Sequence, residues 1–129
     1  MQKIIQWKPI HSLKNHFYCD AIHDDYEGFR IILRAEKNDG PVIKILFDNV
    51  LFYQNTDEGN ILNPPASDGD FSFPHPFYKI ANSKLLGHFH QLSNNIYLNE
   101  DITHFAIYTC NDCIDILCSG EPNTEILGE

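Results

Sequence analysis

The chain has 129 residues and a formal net charge of -9, from 9 Lys and Arg against 18 Asp and Glu. This length predicts a single domain, 1–129, and the apolar fraction of 43% is too high for a disordered chain. The acidic balance disfavours nucleic acid and anionic membranes as partners, because both attract basic surfaces.

The first half of the chain has the pattern of β-strands. Residues rich in β-branched and aromatic side chains form four segments: 17–22, 29–35, 42–47 and 50–55. Turn-forming residues separate them at 23–28, at 38–41 and at Asp48-Asn49. The second and third segments, joined by a short Gly-containing turn, are predicted to form a hairpin.

A proline-rich stretch follows over 63–76, where the prolines exclude a regular element. Four aromatic residues lie within 71–78, next to these prolines. A flexible linker would not carry them, so we expect this loop to lie against the core of the same domain.

One helix is predicted, capped by Asn82 or Ser83 and ended by Asn94-Asn95. Its apolar residues recur at helical spacing and predict one buried stripe, formed by Leu85, Leu86, Phe89 and Leu92.

The last third of the chain returns to strands at 103–109 and 113–118. Asn111-Asp112 between them suits a two-residue hairpin turn, and Glu121-Pro122-Asn123 is predicted to end the sheet. The pattern as a whole predicts an α+β fold, mainly an antiparallel β-sheet with one principal helix packed on a face.

Cys110 and Cys113 have the spacing of a zinc knuckle, and His88 and His90 would complete a tetrahedral set of ligands. Two arguments oppose this zinc site: cysteine is a small buried hydrophobe at strand positions, and helical residues two apart point in different directions. We therefore predict no metal ligands and no cofactor-binding residues. With no signal peptide in the sequence, the chain reads as cytosolic, where cysteines are expected to be reduced.

No catalytic signature is present in the sequence. Neither His23 nor His104 belongs to a recognisable motif, and both are interpreted as surface or hydrogen-bonded histidines. Paired carboxylates such as Asp24-Asp25 would point to opposite faces of a strand, so they do not form an acid–base pair. We predict no catalytic residues.

Negative charge is concentrated in the second half of the chain. Residues 61–129 carry a net charge of -7, and no Lys or Arg follows Lys84, so seven acidic residues have no cation near them in sequence. Two interpretations are open: a solvated acidic face that keeps the protein soluble, and a surface that steers a basic partner towards it.

Asp115 shares one face of its strand with Cys113 and Leu117, because strand side chains alternate. A solvent-facing residue is the simpler interpretation, and an acidic binding face is the alternative. The candidate partner-binding residues are Glu100, Asp101, Tyr108, Asp112, Asp115 and Glu121, with Tyr97 as a further possible aromatic anchor.

Part of the second half resembles a group of small bacterial proteins. The stretch from Ser83 to His90, the run ITHFAIYTCNDCIDIL over 102–117, and Glu121-Pro122 are similar to proteins of toxin–immunity loci, including the immunity proteins of contact-dependent growth inhibition. The resemblance covers 70–126, and the strand-rich first half of the chain shows a weaker similarity. It implies a cytosolic protein that binds and blocks a toxin domain, often a nuclease, without catalysis.

The sequence thus leads to one main hypothesis and two alternatives. The main one is a cytoplasmic, non-enzymatic immunity protein whose partner is a cognate basic toxin domain. The alternatives are a zinc-binding or histidine-dependent hydrolase using His88, His90, Cys110 and Cys113, and an acidic interaction domain without a toxin partner. An uncovered edge strand would also allow a homodimer.

Overall fold

Strand-forming segments account for most of the secondary structure. The computed structural model describes residues 2–9, 16–36, 40–57, 68–69 and 76–128. The strands are β1 Lys3–Gln6, β2 Phe17–Asp25, β3 Gly28–Ala35, β4 Val42–Phe47, β5 Val50–Asp57, β6 Asp68–Gly69, β7 Phe77–Ala81, β8 Ile102–Tyr108, β9 Asp112–Ser119 and β10 Asn123–Gly128. The helix α1 spans Lys84–Leu92.

These strands form two sheets. The six-stranded sheet has the order β5-β9-β8-β7-β1-β6, and the four-stranded sheet has the order β10-β4-β3-β2. Pairing is antiparallel except between β1 and the two-residue β6. The mainly antiparallel architecture with one helix in the described residues is confirmed, consistent with the α+β class. The division into two sheets was not predicted: at Asp48-Asn49, where Asn49 has a φ of 51°, the chain leaves β4 and enters the other sheet as β5.

The two sheets face each other across an apolar core. Side chains alternate along a strand, so every second residue of β3, β4, β8 and β9 is turned towards the opposite sheet. Phe105 of β8 lies near the centre, with its ring 5.7 Å from that of Phe47 on β4 and 4.8 Å from that of Trp7. The buried members of this core are Phe17, Phe29, Ile31, Leu33, Ala35, Ile43, Ile45, Phe47, Phe77, Phe105, Ile107, Ile114, Ile116 and Cys118.

Helix α1 begins where it was predicted to begin. The Ser83 hydroxyl accepts a hydrogen bond from the Leu86 N–H (3.0 Å), which caps the first turn. Phe89 is the only buried residue of the helix, and its ring lies 6.1 Å from that of Phe52 on β5. Leu92, predicted to be part of the buried stripe, is 63% exposed, so only part of the stripe is covered.

Four short or weakly patterned strands were missed: β1, β6, β7 and β10. The N-terminal β1 pairs with β7, and β6 interrupts the stretch 63–76, which was predicted to be irregular. The sheet does not end at 121–123, because β10 pairs with β4. β10 is an edge strand with little hydrophobic pattern. It consists mainly of polar residues and contains two half-exposed apolar ones, Ile126 and Leu127. The remainder of the 63–76 loop, residues 38–39 of the turn at 38–41, and Glu129 lie outside the described residues.

The β8–β9 turn is centred one residue earlier than predicted. Thr109 N–H donates to the Asp112 carbonyl (2.8 Å), so Cys110-Asn111 are the central residues of the turn. The Thr109 hydroxyl donates to Asn111 Oδ1 (2.9 Å) and accepts from the Asp112 N–H (3.1 Å). These side-chain bonds stabilise the turn at this position, and Asp112 becomes the first residue of β9.

Burial makes Cys19 a weakly reactive thiol. Loss of solvent, aided by the carboxylates of Asp112 and Asp20, raises the pKa of Cys19 to about 11. We expect iodoacetamide to label Cys19 at pH 8 about 100-fold more slowly in the folded protein than in the unfolded one, because the thiolate is the nucleophile. The folded-state rate should rise about tenfold per pH unit from pH 8 to pH 10. Mass spectrometry of the labelled peptide measures both rates, and equal rates in the folded and unfolded protein would refute the expectation.

Candidate functional site

The six predicted partner-binding residues do not form one surface. Ile102 of β8 pairs with Ser119 of β9, and Tyr108 pairs with Cys113, so these register pairs mark the two ends of the β8–β9 hairpin. The end near Ile102 and Ser119, which we call the helix end, carries Glu100, Asp101 and Glu121 in the adjoining loops. The opposite end, which we call the turn end, carries Tyr108 and Asp112. Asp115 lies between the two ends.

Two of the acidic residues after Lys84 are paired with cations from earlier strands. Lys79 Nζ lies 3.0 Å from Glu121 Oε1, and Lys44 Nζ lies 3.5 Å from Glu125 Oε2. These two acids, which have no cation near them in sequence, acquire one in the fold, because pairing of the strands brings β4 and β7 lysines beside the C-terminal segment. Both pairs are on the surface, where they reduce local charge while adding little stability.

Asp115 lies on the outer face of the six-stranded sheet but is largely covered there, not solvent-facing as the simpler interpretation held. Its side chain is 13% exposed, and Oδ1 lies 2.7 Å from Nε2 of His104, whose side chain is 6% exposed. The other imidazole nitrogen of His104, Nδ1, lies 2.6 Å from the Ser83 hydroxyl. Gln54 also donates to Asp115 Oδ2, at 3.4 Å. The carboxylate of β9 is thus linked through β8 to the first turn of helix α1.

Of the two neutral tautomers of His104, only the Nε2–H form satisfies both contacts. In that form the Ser83 hydroxyl donates to His104 Nδ1, and His104 Nε2–H donates to Asp115 Oδ1. Serine, histidine and aspartate are also the groups of a catalytic triad, in which histidine activates a nucleophilic hydroxyl. Here the Ser83 oxygen also accepts the capping bond from the Leu86 N–H. We therefore assign a structural role to the hydrogen bonds that link Ser83, His104 and Asp115: they attach helix α1 to the sheet.

Tyr108 is held near the same carboxylate on the outer face of the six-stranded sheet. Its ring centroid is 5.7 Å from that of the buried Tyr78. Burial raises the pKa of Tyr108 above its ordinary value, and the nearby carboxylate of Asp115 adds to the shift. Its phenol is therefore neutral at physiological pH, and its ring packs into the sheet rather than standing free as an anchor.

The helix end exposes large apolar side chains. Leu92 is 63% exposed, Ile96 is 71% exposed and Leu98 is 58% exposed. They lie in and just after the last turn of α1, in a segment held by turns: Asn95 N–H donates to the His90 carbonyl (2.8 Å), and the Tyr97 ring stacks 5.6 Å from the buried Phe89.

Acidic residues follow immediately on this apolar group. Glu100 and Asp101 are exposed, and Glu100 N–H is fixed by a bond to the Tyr97 carbonyl (2.9 Å). We call Leu92, Ile96, Leu98, Glu100 and Asp101 the helix-end surface. Exposed apolar residues beside charged ones on an ordered segment are typical of a protein-binding surface.

The described residues of the turn end include the acidic Asp112 and no comparable group of exposed apolar side chains. Asp57 and Asp112 are directly opposite one another in the β5–β9 ladder. Among the described residues of this end, the aromatic Tyr108 is partly buried against Tyr78.

The residues of the predicted hydrolase site do not come together. His88 and His90 belong to α1, whose Phe89 packs on Phe52 near the helix end, whereas Cys110 and Cys113 lie at the turn end. Within the described part of the chain, one group of three potential metal ligands occurs, and it includes Cys110 without the other three residues. A groove of about 530 Å³ beside α1 is lined by His90 and His104, among others.

The apolar surface residues and the buried hydrogen-bond chain were missed for different reasons. The helical spacing of Leu92 predicted that it would be buried, and Ile96 and Leu98 follow the helix in sequence. The exposure of all three depends on where the helix meets the sheet. His104 and Asp115 lie on one face, but their contact depends on the register of the hairpin. The signal available in the sequence was the presence of two polar residues, His104 and Asp115, on the same face of two neighbouring predicted strands.

No known protein family matches this chain, and neither a curated protein nor a solved structure is detectably similar to it. In the described residues, every helix is too short or too polar to traverse a lipid bilayer.

Proposed function

We propose that this protein is a cytoplasmic, non-enzymatic immunity protein that binds a basic toxin domain through the helix-end surface. The observation that carries the proposal is the group of three exposed apolar side chains, Leu92, Ile96 and Leu98, followed directly by exposed Glu100 and Asp101. A nuclease is the expected class of toxin, because an enzyme that binds phosphates needs a basic face.

Apolar and acidic residues would have separate roles at this interface. A few buried apolar or aromatic anchors supply most of the affinity of a protein complex, whereas charges at the rim mainly accelerate encounter. Leu92, Ile96 and Leu98 are suited to the first role. Glu100 and Asp101 are suited to the second, because the described residues show no ion pair for either of them.

The proposal narrows the set of contact residues. Glu121 lies at the same end, but its partner Lys79 offsets its charge. Asp115 is engaged by His104 inside the structure, so it supports the fold instead of contacting a toxin. Tyr108 and Asp112 belong to the turn end and are left out of the proposed interface.

Neutralisation of a toxin tests this function. The proposal predicts a toxin-like domain in the reading frame adjacent to this gene. The product of that reading frame is the probe: it is co-expressed with the full-length protein, and binding is then measured with the purified pair. We expect survival of the co-expressing cells and an association rate that falls as salt rises. Ile96→Ala should weaken binding about 30-fold, the effect of losing one anchor residue. Glu100→Gln with Asp101→Asn should mainly slow association.

Matched variants separate this surface from general effects. Ile126→Ala removes the same side chain from the exposed part of β10, and Asp24→Asn removes an exposed acid from β2. Both should bind like the wild type. Failure of the protein to bind or neutralise the toxin would reject the proposed function. Binding that survives Ile96→Ala but is lost on changing Asp112 would move the interface to the turn end.

A further inference from the structure

Three potential metal ligands converge at the turn end from distant parts of the sequence. These are His16 just before β2, Glu36 just after β3 and Cys110 in the β8–β9 turn. One ligand atom from each residue lies within 4.8 Å of the others, and the distance from His16 Nδ1 to Glu36 Oε2 is 3.8 Å.

Backbone hydrogen bonds fix the relative positions of these three residues. Glu36 N–H donates to the His16 carbonyl (2.8 Å), and Cys110 N–H donates to the Phe17 carbonyl (2.8 Å). His16 and Glu36 belong to the end of the four-stranded sheet, and Cys110 belongs to the six-stranded sheet. The backbones of the three residues are therefore held side by side before any ion arrives, and an ion bound there would link the two sheets through side chains.

The chemistry of the three side chains selects the ion. Thiolate, imidazole and carboxylate together suit Zn²⁺, whereas Mg²⁺ and Ca²⁺ take oxygen ligands. Zinc–nitrogen and zinc–oxygen bonds of about 2.0–2.2 Å in a tetrahedron put those two ligand atoms roughly 3.4 Å apart. The separation of 3.8 Å between His16 Nδ1 and Glu36 Oε2 is slightly longer, and the half-exposed Glu36 side chain has room to close the difference.

We propose that His16, Glu36 and Cys110 form a binding site for Zn²⁺ at the turn end. Three protein ligands leave the fourth tetrahedral position to water. The site differs from the knuckle predicted from sequence, because it uses Cys110 but not Cys113, which is buried on β9. Its ligands have no motif spacing in the chain, so only the fold brings them together. The site is independent of the helix-end surface and of toxin binding.

Cobalt binding to the reduced, metal-free, full-length protein tests the site. We expect one Co²⁺ per chain, with the visible spectrum of a tetrahedral ion and a thiolate-to-cobalt charge-transfer band, both displaced by Zn²⁺. Cys110→Ser should abolish the charge-transfer band. Glu36→Gln and His16→Ala should weaken binding by more than the roughly 10- to 100-fold caused by loss of an outer-shell partner.

Two other cysteine variants are the controls. Cys19→Ser removes a neighbouring half-buried thiol, and Cys113→Ala removes the second cysteine of the knuckle; both should keep the cobalt spectrum and stoichiometry. Glu36 is exposed, so Glu36→Gln remains informative even where a cysteine variant folds poorly. Absence of saturable binding, or a charge-transfer band that survives Cys110→Ser, would overturn the proposal. So would unchanged affinity in both Glu36→Gln and His16→Ala.

Discussion

Replacing Asp115 with alanine is expected to lower the free energy of unfolding by about 2–4 kcal/mol. The substitution removes the acceptor 2.7 Å from His104 Nε2, and it leaves a polar nitrogen on a residue that is 5% exposed. A buried donor without an acceptor costs the desolvation of that group, which is more than the net value of the bond itself. Urea unfolding monitored by circular dichroism measures the change.

A conservative variant distinguishes hydrogen bonding from simple loss of packing. Asp115→Asn keeps an oxygen for the Nε2–H of His104, so it should lose only about 1 kcal/mol. Glu100→Ala removes an exposed acid and should stay within about 0.5 kcal/mol of the wild type. Equal stability of Asp115→Ala and Glu100→Ala would show that the His104 contact does not stabilise the fold.

The position of one turn explains why this contact was not foreseen. A two-residue turn at Asn111-Asp112 would have paired Tyr108 with Asp115. The observed turn at Cys110-Asn111 pairs Ala106 with Asp115 and so brings the carboxylate beside His104. A shift of one residue in the turn changes the register by two, which keeps every side chain on its predicted face while exchanging its neighbours. The faces were therefore predictable from alternation, but the contacts were not.

Strands with strong apolar alternation were predictable because burial of one face decides their structure. β3, β4, β8 and β9 are of this kind, and the capped helix followed from Ser83 and the leucines after it. The edge strand β10 has no comparable signal, because it gains its pairing from β4. The ion pairs were unpredictable for the same reason. Glu125 acquires its lysine partner only when β10 pairs with β4, and Glu121 acquires Lys79 only when β7 lies beside the C-terminal segment.

The metal ligands and the residues of the helix-end surface also could not be identified from sequence patterns. His16, Glu36 and Cys110 are brought together by pairing between strands that are far apart in the chain. Exposure of Leu92 depends on how far the helix extends past the sheet. A sequence pattern records the periodicity of an element, but it does not record where that element stops being covered by the next one.

Truncation of Phe105 to alanine is expected to have the largest effect on stability, a loss of about 3–5 kcal/mol. Phe105 is fully buried between the sheets, where its ring contacts those of Trp7 and Phe47. Removing it creates a cavity that the two sheets cannot close without moving as units, so both the transfer energy and the cavity contribute.

Phe52→Ala is the matched control, because this half-buried ring packs under α1 on the other face of the same sheet and should cost only about 1–2 kcal/mol. Chemical unfolding of the two variants side by side tests whether the interface between the sheets, rather than the helix, holds the fold; an equal or larger loss for Phe52→Ala would contradict it.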